Sequence, residues 1–349
     1  MSIAYRTTRS RWMTTAPDRP WLLQEDRPAP TPGVPAGVEY HRVHAGERRR
    51  VLRGLVAIGL LVAGFVGFAV LFRSLSEIVD AALFDRSGPS TPLRQAAGAL
   101  ALALLIPYSM LIERVLYGVP ARSLHSVAGR FRFGVLGRAL LVFGPPLLLV
   151  IALGMPASVD SAPWTTADLV WYFVIGMLLT PLGAAGEEYG FRGLMFRVLG
   201  GWTRGARSGA VLGIVVTTVL FSLAHGTLDP FLFGSYLVLF STMAIVTWRT
   251  GGLEVAVVLH GVYNVTFLVL GTTLHLDVGA ELASRAEAVG SWANLVPSAM
   301  LAVITAVVWW TTRRDGPART PVTGWPARGS RAVEPPGTLP AATTGTEQR

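Results

Sequence analysis

Eight apolar runs free of Asp, Glu, Lys and Arg dominate this chain, and they restrict what it can become. They are residues 54–72, 95–112, 139–159, 169–186, 208–224, 230–248, 255–276 and 288–312. A helix rises about 1.5 Å per residue, so about 20 apolar residues cross a hydrocarbon core of about 30 Å. Lipid offers no partner for a backbone amide, so each run must satisfy its amides internally as a helix. The expected fold class is all-α, a polytopic integral membrane protein with eight spans.

Charge is distributed to match. The net charge is +9 and every one of the 30 basic residues is arginine. Arginines gather in the tails and after the second, fourth and sixth runs, at Arg114 to Arg138, Arg197 to Arg207 and Arg249, and again at Arg313 and Arg314. The alternate loops carry Asp160, Asp168, Asp229, Asp277, Glu281 and Glu287. Such alternation is the positive-inside pattern, so a multi-pass cell-membrane protein with both termini cytoplasmic is expected. The lipid bilayer is then the partner of the arginines and no nucleic acid is expected. With no cysteine in the chain, disulfides and thiolate metal sites are excluded.

Residues 1–50 and 313–349 are rich in Pro, Arg and Thr and poor in apolar residues, so both are expected to be disordered tails around a helical domain at 51–312. Trp164, Trp248, Trp292, Trp309 and Trp310 stand near run ends, where interfacial aromatic belts form.

Against this background the stretch Gly186-Glu187-Glu188-Tyr189-Gly190-Phe191-Arg192-Gly193 stands out. A charge near a bilayer centre costs about 2.5–3.5 kcal/mol on insertion scales, so charges there are read first as functional. In a helix Glu188 and Arg192 are four residues apart on one face and can pair, while Glu187 turns away and faces another helix. The plainer reading is a surface loop with solvated charges.

Four of the six histidines, His41, His44, His125 and His275, fall in tails or loops and are expected to be solvated. His225 ends the fifth run, and His260 lies in the seventh with Asn264 one turn later on the same face. A lone membrane histidine is as readily a hydrogen-bonded core residue as a ligand, but Glu187, His225, His260 and Asn264 together form a set. Glu187 and His225 are equidistant from residue 206 in the turn between their runs, so antiparallel helices put them level. A carboxylate and a histidine can polarise a water, and a His/Asn pair can hold an oxyanion. Glu and His ligands with an open position could equally hold a catalytic zinc at Glu187, His225 and His260. No HExxH, GxSxG or Walker pattern is present.

These residues resemble the intramembrane endopeptidase family that contains type II CAAX prenyl proteases and bacteriocin-processing or immunity proteins. Members share EExxxR, FxxxH and HxxxN motifs in that order. Glu187, Glu188 and Arg192 match the first, Phe221 and His225 the second, and His260 and Asn264 the third, within residues 165–272. The resemblance implies that Glu187 activates water with His225, that His260 and Asn264 stabilise the oxyanion or contribute to a metal site, and that Glu188 and Arg192 support them. It implies a membrane-associated protein or peptide as substrate, and it leaves metallo- and glutamate-dependent mechanisms both open. The rival class is a non-catalytic transporter or scaffold whose Glu/Arg/His set relays protons. Counting along the helix that ends at the Arg204 turn puts the site in the half of the membrane away from those arginines.

Overall fold

The structure is a computed structural model that describes residues 20–24, 30–46, 50–86, 90–155 and 162–322. Twelve α-helices follow in chain order: α1 (Val51–Phe84), α2 (Pro92–Ala103), α3 (Leu105–Ile112), α4 (Phe133–Leu153), α5 (Thr166–Leu178), α6 (Thr180–Glu188), α7 (Phe196–Gly201), α8 (Ala206–Leu223), α9 (Pro230–Thr250), α10 (Glu254–Thr273), α11 (Val278–Ala283) and α12 (Val296–Thr312). Among the described residues there is no strand, only two isolated bridges, so the all-α expectation holds. Among the described residues eight stretches are long and apolar enough to span a membrane, and each contains most of one of the eight runs.

Two spans are broken, and proline accounts for both breaks. Pro107 has no N–H to give the carbonyl of Ala103 and its ring crowds that turn, so α2 gives way to α3 at Leu104. Pro181 does the same to α5, which yields to α6 at Leu179. Beyond α6 the chain continues as a π-helical segment, Tyr189–Met195, before α7. A second π-helical segment, Glu113–Tyr117, follows α3 and stops at Gly118, whose φ of +67° suits glycine.

Helix α10 is the most buried of the eight spans and packs against α4, α6, α9 and α5. Residues such as Leu52, Val56, Val66 and Val70 of α1 are exposed, as befits a surface whose solvent is lipid. The core therefore sits around α10, and α1 borders it through one face that includes Ala57 and Leu61.

Polar groups concentrate at the arginine-rich end of the bundle, where they are paired rather than solvated. Arg197 is fully buried and its guanidinium donates to Glu113 at 2.9 Å and to the Ser123 hydroxyl at 3.0 Å. His44 reaches the second oxygen of Glu113 at 2.9 Å. Arg132 pairs with Glu254 at 2.6 Å, tying the loop before α4 to the start of α10.

Part of the segments expected to be disordered belongs to this layer. Tyr40 and His41 are buried, and Arg42 donates to the carbonyls of Gly200 and Thr203 at 2.5 and 2.9 Å. Val38 and Thr320 exchange hydrogen bonds, so the two tails meet over the end of α7 and α9. Composition misled here because ordering comes from capping carbonyls that only the folded bundle presents. The rest of both tails lies outside the described residues. The expectation of solvated histidines fails likewise: His41 stacks on Phe196, and burial holds its imidazole below the usual histidine range. His125 is partly buried, its ring nitrogen pairs with the Tyr189 hydroxyl, and burial lowers it too. His275 bonds to the carbonyl of Ala162 at 3.1 Å.

Glu113→Ala leaves Arg197 buried without its carboxylate and should cost about 3–5 kcal/mol. Thermal unfolding of the purified protein in detergent should show a markedly lower Tm, and an unchanged Tm would refute the pairing.

Candidate active site

The site depends on how closely α6 approaches α2. A side chain at Gly186 would collide with the backbone carbonyl of Leu102, and one at Gly183 would meet the Ala99 carbonyl at 3.2 Å. Glycine at both places lets the helices lie almost backbone to backbone. The next two residues, Glu187 and Glu188, are consequently held inside the bundle, and both are buried. The π-helical segment begins one residue later. Such segments widen the turn and occur often at functional sites.

Glu188 is the centre of the cluster. One of its oxygens accepts from Arg192 at 3.2 Å and from Nδ1 of His260 at 2.8 Å. Nε2 of His260 lies 3.4 Å from Glu187, so the imidazole bridges the two carboxylates. Arg192, fully buried, also donates to the Phe240 carbonyl at 3.2 Å, and its guanidinium stands 4.8 and 5.0 Å from the ring centres of Phe221 and Phe240. The guanidinium is therefore neutralised by a carboxylate and flanked by π faces, both favourable to a cation removed from water.

His225 follows the end of α8 and is half-buried. Its Nδ1 lies 2.8 Å from the Phe221 carbonyl, which can only accept, so Nδ1 carries the proton and Nε2 keeps a lone pair. The His225 ring packs against Phe221, Tyr236 and Phe240 at 5.0, 4.6 and 4.8 Å. The His260 ring shares two of these neighbours, Phe221 at 6.3 Å and Phe240 at 6.2 Å. Asn264 is half-buried on α10, one turn beyond His260 and on its side of the helix.

The structure thus brings Glu187, Glu188, Arg192 and His260 into direct contact and sets His225 beside them across an aromatic wall. The level placement of Glu187 and His225 has a direct counterpart: Phe191 and Phe221, also equidistant from residue 206, have ring centres 4.2 Å apart. Phe240, which touches Arg192 and both histidines, is ten residues from each end of α9, so the site lies midway along that span. The span Thr166–Gly201 has 36 residues, far more than the about 20 a bilayer needs. Its α7 end, with the Arg204 turn, extends beneath Arg42, which donates to the carbonyls of Gly200 and Thr203.

Sequence reasoning missed Phe240, Tyr236 and the pairing of His125 with Tyr189. The two aromatics lie in an ordinary apolar run and carry no motif. The histidine appeared only as part of a basic loop.

A zinc at Glu187, His225 and His260 would need those three side chains to converge on one point. Among the described residues no three His, Cys, Asp or Glu side chains do so. As they stand, these side chains do not form a metal site.

Residues 166–266 match the family described as Type II CAAX prenyl endopeptidase Rce1-like. The match implies an intramembrane protease of the CAAX type acting on a peptide or protein in the membrane. The Rce1-like segment contains Glu187, Glu188, Arg192, His225, His260 and Asn264 and runs from the start of α5 into α10. No curated protein and no solved structure matches the chain.

Arg192→Ala strips Glu188 of its guanidinium in a fully buried place and should destabilise the protein by about 3–5 kcal/mol. Glu187→Gln keeps the shape and removes a charge that Arg192 does not neutralise directly, so its unfolding temperature should stay near that of the wild type. Equal losses in the two variants would contradict this division.

Proposed function

We propose that this chain is an intramembrane endopeptidase that cuts a membrane-associated protein or peptide, with water activated by Glu187 and His225. The observation that supports the reading is the Glu187–His260–Glu188 bridge, two carboxylates on one buried imidazole, beside a second histidine whose Nε2 lone pair is free.

In this mechanism Glu187 and Nε2 of His225 share the water, and one of them takes its proton as the oxygen adds to the scissile carbonyl. Glu188 holds Nδ1 of His260, so the Nε2 edge of that ring stays directed at the reacting groups. With a second proton on Nε2, that edge and Asn264 together donate to the oxyanion of the tetrahedral intermediate. The proton then passes to the departing amine as the C–N bond breaks. Glu188 and Arg192 do not touch the substrate; they hold His260 and the helix that carries Glu187. The termini and the Arg204 turn are placed on the cytoplasmic side by the positive-inside pattern.

The test compares protein termini by mass spectrometry in membranes of cells making the wild type or Glu187→Gln at equal levels, with metal content measured on both purified proteins. Fragments should appear only with the wild type, and Glu187→Gln should lower their formation by at least about 100-fold. Identical fragment sets would remove the endopeptidase reading and leave the relay or transporter class. A stoichiometric metal in the wild type alone would replace the glutamate/histidine mechanism with a metal-dependent one.

A further inference from the structure

One cation faces this site without belonging to any motif. Arg285 lies in the loop between α11 and the short 3-10 turn Trp292–Leu295, and its guanidinium stands 5.9 Å from the ring centre of Tyr236. Tyr236 is the ring 4.6 Å from His225, so the guanidinium is two ring contacts from the proposed base. It is also within electrostatic reach of Glu187. The loop is anchored here: the Gly290 amide donates to Asp229, the residue that caps α9.

Arg285 is half-buried, and among the described residues no carboxylate lies within ion-pair distance of it. The neighbouring acids do not serve it. Asp229 is occupied by the amides of Phe231, Leu232 and Gly290, and Glu281 and Glu287 are exposed. Buried Arg192, Arg197 and Arg132 each have a carboxylate, and buried Arg249 gives its donors to the hydroxyl and carbonyl of Thr312. A guanidinium left unpaired beside an apolar wall and a reactive site is a place for an anion that arrives with the ligand.

We propose that Arg285 binds a carboxylate of the substrate and makes the site selective for acidic peptides; this rests on the endopeptidase reading above. The anion that an unmodified peptide carries is a carboxylate, from an Asp or Glu side chain or from its C-terminus. Two contacts of 5.9 and 4.6 Å separate the guanidinium from His225, and an extended chain advances about 3.3–3.6 Å per residue. The recognised carboxylate therefore falls within about four residues of the bond that is cut, always on the same side.

The experiment uses the purified full-length protein in nanodiscs and three peptide libraries: one with free carboxyls, the same library with all carboxyls amidated, and a synthetic library amidated at the C-terminus alone. Cut positions and rates are read by mass spectrometry against a Glu187→Gln background. The wild type should cut the free-acid library at least about ten-fold faster than the fully amidated one. Arg285→Gln should erase that difference, Arg285→Lys should keep part of it, and Arg285→Glu should reverse it. Preference retained in the third library assigns the carboxylate to a side chain, and preference lost there assigns it to the terminus. If the wild type cuts all libraries alike, or Arg285→Gln keeps the full preference, the inference is overturned while the endopeptidase reading stands. If nothing is cut above background, both fall.

Discussion

Everything around the site depends on Glu188 having two cationic or proton-donating neighbours in a place without water. Arg192 alone would make a tolerable ion pair, since they lie one turn apart on the same face. His260, arriving from α10, turns that local pair into a tertiary constraint. Removing a charge from water costs several kcal/mol, and the cost is recovered only where geometry is good and the remaining donors are satisfied. Here the Phe240 carbonyl and the faces of Phe221 and Phe240 meet the guanidinium, while its Nε and the second oxygen of Glu188 are buried without a hydrogen-bond partner among the described residues. The arrangement holds α6, α9 and α10 in one register, and that register turns Glu187 toward the His260 imidazole.

The same logic explains why the bundle is irregular just where it is most polar. Glycines at 183 and 186 bring α6 against α2, proline breaks α5 from α6, and the π-helical segment lets the chain continue without losing the Glu188–Arg192 pairing. A second polar layer, Glu113 with Arg197 and His44 and Arg132 with Glu254, closes the arginine-rich end and is roofed by tail residues 38–44. Two buried charge layers in one bundle define its helix packing more tightly than interchangeable apolar contacts in lipid would.

Much of this was legible in the residues alone. The eight runs translate into eight spans because lipid leaves an apolar run no alternative to the helix, and the i, i+4 spacing of Glu188 and Arg192 is a local fact that survives folding. Phe191 and Phe221 meet because a short turn makes the hairpin nearly symmetric about residue 206. Other parts were hidden for stated physical reasons. Phe240 is one apolar residue among many in its run, and its role comes from which side chains three other helices bring to it. His41 and His44 were read as solvated because their partners, the Ala206 carbonyl and Glu113, are remote in sequence.

The sequence by itself determined the class of molecule, the number of spans and the candidate chemistry, because hydropathy and helical periodicity are local properties that lipid enforces run by run. Only the tertiary structure decided that one imidazole bridges Glu187 and Glu188, that the site lies midway along α9, and that Arg285 faces it unpaired. Those facts depend on how far each helix extends and how it is rotated against its neighbours. Packing and buried charge set both, and neither can be counted along the chain.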